Sequence, residues 1–203
     1  MTNYLDALDR LMLIEPIPAW RHHMRSRTRL RAAAVHHFVD PSLGVAALGV
    51  GADGLRRDLP AARLHFESLV MRDIRVYAQP LDGTLSSWRD SQTGLEVDAV
   101  LELPDGRWAG IEVKLGEAAA DAAAASLVRM AAKIDQDRHG TPAALIVVTG
   151  GRYTYRRPDG VYVVPITALG ALSNPVTEAS FDKPPARRSR DLSGSMNESV
   201  SEK

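Results

Sequence analysis

The chain has 203 residues, 45% of them hydrophobic and 25% charged, enough for one domain with a proper core and a short appendage. It carries 25 Lys and Arg against 25 Asp and Glu, so no global field draws nucleic acid, and DNA binding would need a local basic patch. The absence of cysteine excludes disulfides, thiolate nucleophiles and cysteine-ligated metals; with no membrane-length apolar run and no signal peptide, the expectation is a cytoplasmic protein with no membrane partner.

Residues 2–14 read as a helix with Leu5, Leu8, Leu11 and Met12 on one stripe, ended by Pro16 and Pro18. Residues 21–31, RHHMRSRTRLR, are basic and suit either a wing or loop that meets phosphates or a solvated connector. His37, Phe38 and Val39 suit a short strand. Asp40 as N-cap and Pro41 at the first helical position predict a helix to Leu48, closed by Gly49 and Gly51. A longer helix is expected over 61–77, with Leu64, Leu69, Ile74 and Val76 on its apolar side. Glu67 sits close to that stripe, either partly solvated or pointed at a charged site.

Strands are expected at 84–89, 95–103 and 107–115, then an alanine-rich helix at 117–137 with Leu127, Met130 and Ile134 inward. ALIVV at 144–148 suits a buried central strand, and 161–166 a further strand whose Pro165 marks an edge or an end. The order is that of an α/β fold. From Ser173 the chain is rich in Pro, Ser and charge, and is expected to be a disordered tail.

The hairpin from Gly94 to Gly116 carries the chemistry. Pro104, Asp105 and Gly106 suit a three-residue turn that pairs Leu103 with Arg107. Counting outward, Asp98 then opposes Glu112, and Glu96 opposes Lys114, all four on one face. Carboxylates so close repel unless a cation lies between them, a role for a hard ion such as Mg²⁺. A two-residue Asp-Gly turn would instead separate Asp98 from Glu112. The three-residue turn is favoured because Pro104 cannot donate to the ladder. Leu95, Val97, Ala99, Leu101, Ile111, Val113 and Leu115 form the opposite, apolar face, so the charged face is expected to look out of the sheet. The same charges also fit a salt-laced solvent surface.

Glu67 on a helix, Asp98 on a strand and Glu112-Val113-Lys114 on the next resemble the PD-(D/E)xK restriction-endonuclease-like core, a mixed central sheet flanked by helices, although Val97 stands where the generic proline would be. The phrases HFVDPSLGVAALG, FESLVMRDIRVYAQ, GLEVDAVLEL, RWAGIEVKLG and YRRPDGVYVVPI are similar to the C-terminal domain of unknown function, number 4143, of bacterial and archaeal AAA-type ATPases. YLDALDRLMLIEPIPAW is similar to the last helix of the winged-helix linker before that domain.

The resemblance implies three parts: a linker remnant at 1–36, the nuclease-like domain at 37–172 and the tail at 173–203. No G-x-x-x-x-G-K-[ST] is present, so no ATP site is expected. The chain reads as the C-terminal part of such a protein without its ATPase module, whether a separate gene, a truncated frame or an excised piece. Implied metal ligands for Mg²⁺ or Mn²⁺ are Asp98, Glu112, the Val113 carbonyl and Glu67. Implied catalytic residues are Lys114, Glu112 and Asp98, and DNA and a P-loop ATPase are the candidate partners. The alternative is a non-catalytic module that binds DNA or an ATPase. Arg72 suits a phosphate contact or, more simply, an ion pair with Asp73 or Glu67. His36, His37, His65 and His139 lack metal-like spacing and are assigned structural or surface roles.

Overall fold

The structure, a computed structural model, describes residues 2–20 and 34–170. The basic stretch 21–31 and the tail from 173 lie outside the described residues. Helix α1 spans Thr2–Arg10 and ends short of residue 14, because Met12 turns the chain with a φ of +55°. Ile14–Ile17 is then strand β1, which pairs antiparallel with β2 (Val35–Phe38). The expected helix had hidden this strand. Its Pro16, opposite His36, is tolerated because each strand of a two-stranded sheet keeps a free edge.

Asp40 caps α2 (Pro41–Ala47) as expected, accepting from the Ser42 N–H at 2.9 Å. Helix α3 (Ala52–Arg57) was not expected. It buries no residue, and a surface pair between Asp53 and Arg56 is its visible support.

Helix α4 runs Leu59–Ala78, starting earlier than expected. Asp58 caps it through the Ala61 N–H at 3.1 Å, and Pro60 fits the first turn. The buried side is Val70, Met71, Ile74 and Ala78, a helical repeat. The expected stripe stepped by five, five and two residues, which no helix face follows, and Leu64 and Val76 are exposed.

The main sheet has six strands: β3 (Thr84–Arg89), β4 (Glu96–Glu102), β5 (Trp108–Lys114), β6 (Ala144–Thr149), β7 (Tyr155–Arg156) and β8 (Tyr162–Pro165). Their order is β3-β4-β5-β6-β8-β7. The β3–β4–β5 meander is antiparallel, and β5, β6 and β8 are parallel, so the sheet is mixed. Pro165 closes β8 at its last pair with Thr149, a strand end rather than a sheet edge. Helix α5 (Ala120–Lys133) forms the crossover from β5 to β6, followed by the short α6 (Gln136–His139).

The sheet is covered on both faces. Leu127, Met130 and the alanines of α5 pack on Val97, Val100, Trp108, Val147 and Val163. Val70, Met71 and Ile74 of α4 pack on Ala99, Ile111, Val113 and Val148. The N-terminal segment enters both layers, Ile17 on the α4 side and Trp20 on the α5 side. Trp20 lies against Trp108 at a ring separation of 5.1 Å and donates to Glu102 Oε2 at 2.9 Å. Residues 18–20 also run along the outer strand β3, exchanging bonds with Ser87 at 2.7 and 2.8 Å. That edge is therefore protected. Among the described residues no helix is long and apolar enough to cross a membrane.

Candidate functional site

The turn between β4 and β5 has the three-residue form. Leu103 and Arg107 pair at 2.9 Å, the Gly106 N–H returns to the Leu103 carbonyl, and Gly106 takes a φ of +84° that a side chain would resist. From there the ladder runs Glu102–Trp108, Leu101–Ala109, Val100–Gly110, Ala99–Ile111, and stops. In that alternation the next bonded pair would be Val97 with Val113. Instead the Val113 N–H donates to Asp98 Oδ2 at 2.7 Å.

The cause is a bulge in β4. Ser86 pairs with Val100 and Trp88 with Val97, so Asp98 and Ala99 together oppose Ser87. The expected strict alternation fails at this point. Val97 turns to the α5 layer, while Ala99 stays on the α4 side. Glu96 leaves the group altogether and pairs with Arg89 at 2.9 Å. The charged face does not look out to solvent either: α5 covers its inner half, and Glu112 is only 4% exposed.

Asp98, Glu112 and Lys114 nevertheless meet where β4 and β5 part. Lys114 Nζ lies 2.5 Å from Glu112 Oε2 and 3.5 Å from Asp98 Oδ2. Glu67 approaches from α4, near enough for Asp98 to oppose its ionisation and Lys114 to favour it. Val113 places its side chain in the core and its N–H on Asp98. Asp98, Glu112 and the Val113 backbone thus meet at one end of the hairpin, with Glu67 facing them from α4. Arg72 instead forms two bonds to Asp73, at 2.7 and 2.9 Å, the simpler of its two roles.

Electrostatics set the site apart from an ordinary surface pair. Burial, then the Asp98 charge, pushes Glu112 up to about 7, against the pull of Lys114. Burial, then Asp98, likewise pushes Glu67 up to about 7. Burial pulls Lys114 down, but Asp98 and Glu112 outweigh it and hold the ammonium above its ordinary value. Two carboxyls raised by burial therefore stand beside an ammonium that is held in its charged form.

One member was missed in the sequence. His37 of β2 is 6% exposed, with Nδ1 3.3 Å from Ser68 Oγ and Nε2 3.9 Å from Glu67 Oε1. Burial lowers its proton affinity, while Asp98 raises it. No signal in the chain pointed to it, because the contact spans 31 residues and depends on how β2 docks on α4.

The fold and site define a mixed α/β domain with a half-buried carboxylate–lysine cluster, built on the buried Glu112, at the open end of its central hairpin. The chain belongs to the family described as Domain of unknown function (DUF4143), whose model matches residues 64–169, just over half of it. A second family model, Domain of unknown function (DUF8612), matches residues 1–54. Neither curated proteins nor solved structures yield a match. Glu67, Asp98, Glu112 and Lys114 fall within the first match, and His37 within the second.

Proposed function

We propose that the domain is a PD-(D/E)xK-type nuclease that hydrolyses nucleic-acid phosphodiesters with Mg²⁺ or Mn²⁺, acting alongside an ATPase. The observation that carries this reading is the convergence of Glu67, Asp98, Glu112 and Lys114 at the point where β4 and β5 separate. Fully ionised, three carboxylates face one ammonium, a residual charge of about −2 that suits a divalent cation. Asp98, Glu112, Glu67 and the Val113 carbonyl would hold the ion, and all are hard oxygen donors. When bound, such an ion polarises a phosphate and lowers the pKa of a bound water.

The chain's own residues supply the rest. Lys114 is held as an ammonium, so it donates hydrogen bonds and charge rather than accepting a proton. It suits orienting a water and steadying the negative charge that develops on the phosphate. Glu112 and Glu67, both near 7, can take up or give a proton at neutral pH. The ATPase association follows from the family phrases quoted above and from no contact within this chain.

A second reading has its own support. Lys114 already bridges Asp98 and Glu112, so the cluster is satisfied as an ion-pair core without metal. On that reading the domain is a binding module for DNA or an ATPase. Calorimetric titration of the purified chain with Mn²⁺, and cleavage of single- and double-stranded DNA with Mg²⁺ or Mn²⁺, separate the two. The nuclease reading expects saturable metal binding and cleavage that falls at least about 100-fold in Asp98→Asn and Lys114→Ala. Cleavage that survives both substitutions would sink it, and absence of both metal binding and cleavage favours the binding module.

A further inference from the structure

We infer that His37 is a positioning residue for Glu67, so that the N-terminal segment completes a site whose other members all lie in residues 64–169. This rests on reading Glu67, Asp98, Glu112 and Lys114 as one centre. Glu67 and Ser68 are neighbours on α4, and each faces a different nitrogen of the same imidazole, Ser68 at 3.3 Å from Nδ1 and Glu67 at 3.9 Å from Nε2. A hydroxyl can donate or accept, whereas an ionised carboxylate only accepts. With a neutral ring, both contacts are favourable in one arrangement. Ser68 donates to Nδ1, and the Nε2–H faces Glu67. The 3.9 Å contact is longer than a hydrogen bond, as such contacts often are before a ligand closes the site.

The ring is held rather than free. His37 and Ser68 are each 6% exposed. The next residue, Phe38, stacks on His65 of α4 at 6.3 Å, and Gly44 of α2 presses on both rings, where a Cβ would come within 2.8 Å of each. Strand β2 therefore presents the imidazole from a fixed platform, as outer residues that orient metal-binding carboxylates do.

The test uses the full chain with ¹⁵N-labelled histidine, by NMR at pH 8 in chelator. The expected result is an Nε2–H tautomer for His37, a shifted Nε2 resonance in Glu67→Gln, and mixed tautomers in Ser68→Ala. An Nδ1–H tautomer in the unsubstituted chain, or an Nε2 resonance indifferent to Glu67→Gln, overturns the inference. Mn²⁺ affinity gives the second arm. His37→Asn should weaken binding about tenfold, and His37→Asn with Glu67→Gln should bind no more weakly than Glu67→Gln alone. Losses that multiply would show His37 acting apart from Glu67 and overturn it. If the unsubstituted chain binds no Mn²⁺, the metal reading fails by itself, and the ring resonances still decide the role of His37.

Discussion

Glu112 and Glu67 are acids whose folded-state values, about 7, lie above an ordinary 4.5. An acid raised on folding favours the native state while it is protonated. The stability it contributes is complete below about 4.5 and is lost as pH rises through about 7. The metal-free protein should therefore weaken between pH 5 and pH 8, with Asp98 and Lys114 as the charged groups around these carboxyls and the His37 imidazole beside Glu67. Glu112→Gln should remove on the order of 2 kcal/mol of that loss, measured by urea unfolding at both pH values in chelator. An unchanged pH dependence in the variant would contradict the burial argument. Asp98, Glu112 and Lys114 were legible because the turn chemistry that pairs their strands is local, whereas Glu67 came only from the family resemblance and Glu96, counted on the same face, pairs away with Arg89. His37 was not legible, since its role comes from a tertiary contact.

Among elements, the hairpin rewards close packing. Gly110 of β5 lies under α5, and a Cβ there would stand 3.2 Å from both Leu127 and Leu145. Gly110→Val should therefore cost about 1–3 kcal/mol by thermal or urea unfolding, since added volume in a filled core forces side chains off their rotamers. A variant as stable as the parent would mean that α5 yields more easily than its burial implies. Strands β3, β4, β5, β6 and β8 were readable from apolar runs and turn residues. The bulge at Asp98 was not, because it depends on how β3 and β4 pair. Strand β1 was missed because two prolines sit in or beside it, and β7 because its two residues carry no pattern of their own.

At the scale of the molecule, the segment matched at 1–54 is structurally joined to the domain matched at 64–169. Ile17 and Trp20 enter opposite layers of the main sheet, and residues 18–20 shield its outer strand. A chain that begins at residue 58 should lose the anchors that close both layers. It should bind the dye ANS and unfold at lower denaturant than the full chain. Trp20→Ala alone should cost about 3–5 kcal/mol. Equal midpoints for the full and shortened chains would show that the domain stands alone.

The contact between Trp20 and Trp108 gives this joint a colour of its own. Two indoles 5.1 Å apart with planes inclined at 41° do not absorb independently. Their transitions couple, so the pair should add a two-signed exciton band to the circular dichroism of the folded chain. Because one indole belongs to the N-terminal segment and the other to β5, that band is a property of the joint rather than of either part. It would fade when the segment lifts from the sheet, even while the helices and strands keep their own spectrum.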